Sequence, residues 1–151
     1  MDFSQITNDL FIGTTPAAQD YNQLRELGVR LVINMRFARG PHPDSHPEAL
    51  SFLWLRSIDS PLLLISLQKL LQGTHLALET IRAGGKVYSH CAKGRHRSVA
   101  MGAAILIAQG YTPEAAMQVI KKQRPISDPD IFYIRRRINQ FSRLWVSLHP
   151  G

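Results

Sequence analysis

The chain has only one cysteine, Cys91, so no disulfide can form within it. No apolar run is long enough to cross a bilayer as a helix, and no N-terminal stretch is patterned as a signal peptide. Internal repeats, low-complexity segments and a linker are also missing, so residues 1–151 are expected to form one domain. Acidic residues are in the minority: 11 against 18 Lys and Arg, a formal net charge of +7. A lone thiol is either an inert buried residue or a reactive centre, and a reactive one suits a reducing, cytoplasmic setting.

The surroundings of Cys91 favour the second reading. The segment runs His90-Cys91-Ala92-Lys93-Gly94-Arg95-His96-Arg97-Ser98. A purely structural cysteine in a core does not sit among four cationic or titratable side chains. Before it, 86–90 reads as a strand opened by the breaker pair Gly84-Gly85. After it, 98–109 reads as an Ala- and Leu-rich buried helix stopped by Gly110. The loop therefore lies between the end of a strand and the start of a helix. Amides at a helix start lack intrahelical partners, and with the positive end of the helix dipole they attract an anion. Gly94 permits a backbone turn that a side chain would resist. The same field lowers the pKa of a nearby thiol and favours the nucleophilic thiolate. Arg97 offers a planar fork for two oxygens of a tetrahedral oxyanion, and Ser98 can donate its hydroxyl to the sulfur.

Chemistry at such a cradle needs a proton donor for the leaving group, and the family resemblance given below implies that it lies on an upstream loop. The candidates are Asp44, Glu48, Asp59 and Glu79. Glu79 falls inside a helical pattern over 62–82, and Asp44 and Glu48 lie in or next to the irregular Pro- and His-rich stretch 40–47. Asp59 follows a strand pattern over 52–56 and precedes Ser60-Pro61, where a helix is expected to begin. That position is the edge where ligands bind in open α/β sheets. Asp-Ser-Pro also suits a plain turn or helix start.

Strands are further expected at 9–12 and 30–35, and helices at 16–27, from Pro113 to about 122, and at 131–148 with Asp128 and Pro129 at its start. Alternating strands and helices imply an α/β fold. Its central, mostly parallel sheet would have about four to five strands, with helices on both faces.

The Cys91 loop resembles the signature of the cysteine-based protein tyrosine phosphatases, particularly their small dual-specificity branch. Weaker matches are Leu10-Phe-Ile-Gly13, the stretch 28–34, and Arg124-Pro125 followed by Ile131 and Phe132. Asp59 precedes Cys91 by 32 residues, a spacing similar to that between acid and nucleophile in the family. The resemblance implies two-step phosphomonoester hydrolysis through a phosphocysteine, with no metal or other cofactor. Cys91, Arg97, Asp59 and Ser98 would carry the chemistry. Ala92, Lys93, Gly94, Arg95 and His96 would bind substrate. His90 would tune the cysteine through backbone hydrogen bonds. Two departures stand out: His96 where the family usually has glycine, and Asp130 where an asparagine is common.

In the resembled family, extra loop cations such as Lys93 and Arg95 favour highly phosphorylated substrates, including phosphoinositide headgroups and inositol phosphates. Arg36 and Arg39 are candidates for the same entrance. A phosphorylated protein, with phosphotyrosine leading, is the first expected partner, and a phosphorylated small molecule or lipid headgroup the second. Arg135 to Arg137 occupy consecutive helical positions and read as a solvated face, with no nucleic-acid motif beside them. His42, Asp44 and His46 have no second ligand cluster, so a metal is not expected. Two other classes stay open: an inactive phosphate-reading module and a rhodanese-type sulfurtransferase.

Overall fold

Successive residues along the inner strands point to opposite sides of the sheet, and here both sides are apolar. Leu10, Ile12, Leu31, Ile33 and Val87 join one buried cluster, while Phe11, Val32 and Tyr88 join another. The structure, a computed structural model, describes residues 1–151. Its strands are β1 (Phe3–Gln5), β2 (Leu10–Gly13), β3 (Val29–Asn34), β4 (Ser51–Trp54) and β5 (Lys86–His90). Its α-helices are α1 (Tyr21–Glu26), α2 (Leu67–Arg82), α3 (Arg97–Ala108), α4 (Pro113–Gln123) and α5 (Phe132–Leu148). The sheet order is β1-β2-β5-β3-β4; only β1 is antiparallel to its neighbour.

The two apolar layers are unequal. The smaller packs Tyr21 and Leu24 of α1 against the sheet. The larger joins the sheet to α2, α3, α4 and α5, with α3 buried almost throughout. Helices thus cover both faces, as the alternating pattern predicts. β5 lies at the centre, paired with β2 on one side and β3 on the other. Its last residue, His90, is level with Gly13 and Asn34. The chain leaves β5 at the carboxyl edge of the sheet, where the helix start of α3 faces it.

One strand escapes the sequence pattern, and three expectations need correction. β1 escapes the periodicity because it is three residues long. The helix expected over 16–27 is α-helical only from Tyr21, after a 3-10 turn at Ala18–Asp20. The helix expected from 62 begins at Leu67, because Ser66 caps it by accepting from the Lys69 amide at 3.3 Å. Residues 57–66 therefore form a loop, with Leu62, Leu63 and Leu64 exposed. Thr112 caps α4 by accepting from the Ala115 amide, but Asp128, expected at the start of α5, does not cap it; Ile131 holds that position without a side-chain cap.

Candidate active site

The first turn of α3 and the last residue of β5 enclose residues 91–96 as a loop. Gly94 makes its turn at φ +64°. A Cβ there would lie 2.7 Å from the Gly13 carbonyl oxygen and 2.8 Å from Arg124 Nη2. Arg124 is fully buried and donates from Nε to the Gly94 carbonyl (2.8 Å) and from Nη2 to the Lys93 carbonyl (3.2 Å). It also reaches Ser4 and Asp2 of the N-terminal segment. Two loop carbonyls are thus fixed to a cation, while the Arg95 amide points to the Cys91 sulfur. Thr15 Oγ1 donates to the Cys91 carbonyl at 3.3 Å.

Cys91 is 3% exposed, with its sulfur 3.2 Å from Ser98 Oγ. Burial pushes the thiol up. Hydrogen bonds from the Ser98 hydroxyl and amide, the Arg97 charge and the Arg95 amide outweigh it, so the thiol sits below its ordinary value. Ser89 Oγ donates to the Ser98 carbonyl at 3.1 Å and ties the helix start to β5. His90 is buried. Burial lowers its imidazole to about 4, against a raising hydrogen bond with the Cys91 backbone, so the ring is neutral.

Arg97 donates from Nη1 to the Ser57 carbonyl at 2.8 Å, while its buried Nε has no hydrogen-bond partner. One guanidinium thus holds the 57–66 loop and keeps a donor for an oxyanion. A cavity of about 190 Å³ is lined by Asp59, Cys91, Ala92, Lys93, Arg95, His96 and Arg97. Asp59 and the cradle therefore meet across 32 residues of sequence. Gly94 does not line this cavity, and Ser98 reaches it only through the sulfur. Arg36 and Arg39 also lie outside its lining; Arg36 donates to Thr15 Oγ1 at 3.1 Å. Asp44 binds Arg25 at 2.6 Å and accepts the Leu50 amide, Glu79 is on the exposed side of α2, and Glu48 is exposed. His46 Nδ1 accepts the Glu48 amide.

His96 stands where the family usually has glycine, at a negative φ of −123°. Its Nδ1 lies 2.8 Å from Asp59 Oδ2 and its Nε2 lies 3.2 Å from Asp128 Oδ2. Tyr133 Oη donates to Asp59 Oδ1 at 2.7 Å. Burial pushes Asp59 up, but the His96 and Tyr133 hydrogen bonds and the His96 and Arg97 charges prevail, holding it below the usual carboxylate range. Arg95 is turned onto Asp128 at 2.6 Å and the Ile126 carbonyl at 3.0 Å. Asp130 lies apart, bound to Arg135. Sequence reasoning missed Arg124, Asp128 and Tyr133. The one local signal was His96 itself, whose two ring nitrogens need partners.

No family model matches the chain. Human dual specificity phosphatase 28 is 33% identical over 129 residues, which is 83% of this chain and 70% of the relative. Dual specificity protein phosphatase 1 of Arabidopsis thaliana is 28% identical over 144 residues, 88% of this chain and 66% of that protein. The chain thus spans just under two thirds of the Arabidopsis protein. The crystal structure of PTPMT1 in complex with PI(5)P superposes with a TM-score of 0.83 at 26% identity, covering 97% of both chains. Sequence and fold agree: the chain belongs to the dual-specificity phosphatases, cysteine-dependent hydrolases of the protein tyrosine phosphatase superfamily.

Proposed function

We propose that residues 1–151 form one catalytic domain that hydrolyses phosphomonoesters through a phosphocysteine on Cys91. The observation that carries this reading is the shared cavity: a thiol held low by donors, a guanidinium with an unpartnered buried Nε, and a carboxylate line the same 190 Å³. In the first step the Cys91 thiolate attacks phosphorus. Arg97 and the loop amides hold the oxygens that gain charge in the transition state. The leaving oxygen takes a proton from Asp59. In the second step Asp59 accepts a proton from water as the water attacks phosphorus. Ser98 Oγ then donates to the departing sulfur. Side chains supply nucleophile, acid, base and electrostatic stabilisation, so the sequence of steps calls for no metal or cofactor.

A phosphorylated protein, with phosphotyrosine leading, is the first substrate reading. Ile58, Leu63 and Leu64 are exposed on the loop that carries Asp59, and they offer packing for the flank of a peptide. A phosphoinositide headgroup is the second reading. It is favoured by Lys93, which lines the cavity without a hydrogen-bond or ion-pair partner, and by the similarity to PTPMT1, solved with PI(5)P. Arg95 adds less than its position in the loop implies, because Asp128 already neutralises it.

The test is phosphate release in EDTA from phosphotyrosine, phosphoserine and phosphoinositide substrates. The expected result is turnover of p-nitrophenyl phosphate that vanadate blocks and that Cys91→Ser abolishes. Substantial turnover by Cys91→Ser would reject the mechanism. Tight binding with no release would return the reading to an inactive module, and thiosulfate:cyanide activity above phosphatase activity would favour the sulfurtransferase.

A further inference from the structure

Asp59 meets the first step with a deficit. Its donors keep it ionised in the free protein, yet a general acid must bring a proton. The nearest proton is on the imidazole beside it. His96 has a carboxylate oxygen on each ring nitrogen, Asp59 at 2.8 Å and Asp128 at 3.2 Å. A neutral ring donates at only one nitrogen and would turn the lone pair of the other on a carboxylate. The imidazolium satisfies both. The other charged or titratable groups facing this ring are Tyr133 of α5, whose hydroxyl is 3.2 Å from Nδ1, and Arg95, which shares Asp128. Cys91, Lys93 and Arg97 line the same cavity, and Arg137 shares a smaller one with Asp59 and Tyr133. Burial and the Asp59 bond push the Tyr133 phenol up to about 12, so it remains a donor.

We propose that His96, braced by Asp128 and Tyr133, is a positioning residue that stores the proton Asp59 delivers to the leaving group. The inference rests on the assignment of Asp59 as the acid. The proton moves from His96 Nδ1 to the Asp59 carboxylate. That carboxyl then protonates the leaving oxygen as the P–O bond breaks and the S–P bond forms. His96 is left neutral and Asp59 ionised. In the second step Asp59 takes a proton from the attacking water and returns it to Nδ1 as the S–P bond breaks. The cycle closes with no net proton gained by the protein. In place of the family's glycine, this chain thus carries an imidazolium whose proton Asp59 can draw on.

The experiment compares phenyl phosphate, a poor leaving group that needs the acid, with p-nitrophenyl phosphate, a good one. kcat/KM, which reports the first step without hydrolysis of the shared phosphocysteine, is measured against pH for wild type, His96→Gln, Asp128→Asn and Asp59→Asn. General acid catalysis contributes on the order of 100-fold or more. His96→Gln should therefore lower kcat/KM for phenyl phosphate at least about tenfold more than for p-nitrophenyl phosphate. Asp128→Asn should move the alkaline limb of the phenyl phosphate profile to lower pH. Adding His96→Gln to Asp59→Asn should cost nothing further. Equal losses on both substrates would make His96 merely structural and overturn the proposal. An unshifted limb in Asp128→Asn would do the same, even if His96→Gln fails to fold. If Asp59→Asn alone leaves phenyl phosphate turnover intact, the acid assignment fails and the inference with it. If Asp59→Asn is slow while His96→Gln is not, the inference alone fails.

Discussion

Replacing Arg124 with Met keeps an unbranched side chain in the same space and removes every donor. The guanidinium is 1% exposed, and two of its bonds go to the Gly94 and Lys93 carbonyls of the cradle. Its ion pair with Asp2 counts for little, because the Asp2 side chain is 60% exposed and well solvated. A hydrogen bond to a charged group contributes about 1.5–3 kcal/mol, so losing the two loop bonds should cost about 3–6 kcal/mol. With a urea dependence of about 2 kcal/mol per molar, the unfolding midpoint should fall by roughly 2 M. Trp54 and Trp145 report unfolding by fluorescence. The loss should also be local, because the released carbonyls no longer fix the Arg95 amide toward the Cys91 sulfur. Alkylation of Cys91 by iodoacetamide should then show its midpoint moved to higher pH. A midpoint shift below about 0.5 M in urea, with an unchanged alkylation profile, would refute this account of the loop.

Three further outcomes are expected. His90 is neutral in the fold, with its imidazole lowered to about 4, so the unfolded chain binds a proton that the folded one refuses. Stability should therefore fall by up to about 3 kcal/mol as pH drops from roughly 6.5 to 4, and His90→Gln should flatten that slope in urea titrations; parallel curves would contradict it. Gly94→Ala places a methyl 2.7 Å from a backbone carbonyl at φ +64° and should cost roughly 1–3 kcal/mol, with vanadate affinity lowered at least tenfold; wild-type inhibition would count against the turn. Ser98→Ala removes a donor 3.2 Å from the sulfur, so the alkylation midpoint should rise and a burst of p-nitrophenol should precede slow turnover; neither change appearing would remove Ser98 from the second step.

Much of this molecule is legible in the sequence because its signals are local. Gly84-Gly85 opens β5, the apolar run after Arg97 makes α3, and Thr112-Pro113 starts α4. Residues 62–66 read as helix because three leucines extend the apolar pattern, while the Ser66 cap that fixes the true start is a single hydroxyl. Asp128 looked like a cap, yet it pairs with Arg95 and with His96, 32 residues away in sequence. Tyr133 reaches Asp59 across 74 residues and Arg124 reaches Gly94 across 30. No periodicity encodes such pairs; only the packing of α4 and α5 onto α3 brings them together. The place of Asp59 after β4 makes it a candidate in the sequence, but its donors, which decide its charge, lie on other elements.

The solitary sulfur has a consequence for oxidative damage. An oxidant that reaches the Cys91 thiolate would yield a sulfenic acid, and these 151 residues hold no second thiol to capture it as a disulfide. Rescue would have to come from a small-molecule thiol small enough to enter a pocket where the sulfur is 3% exposed, or from a neighbouring backbone nitrogen closing a sulfenamide ring. Without one of these, further oxygen uptake carries the residue past the point of repair.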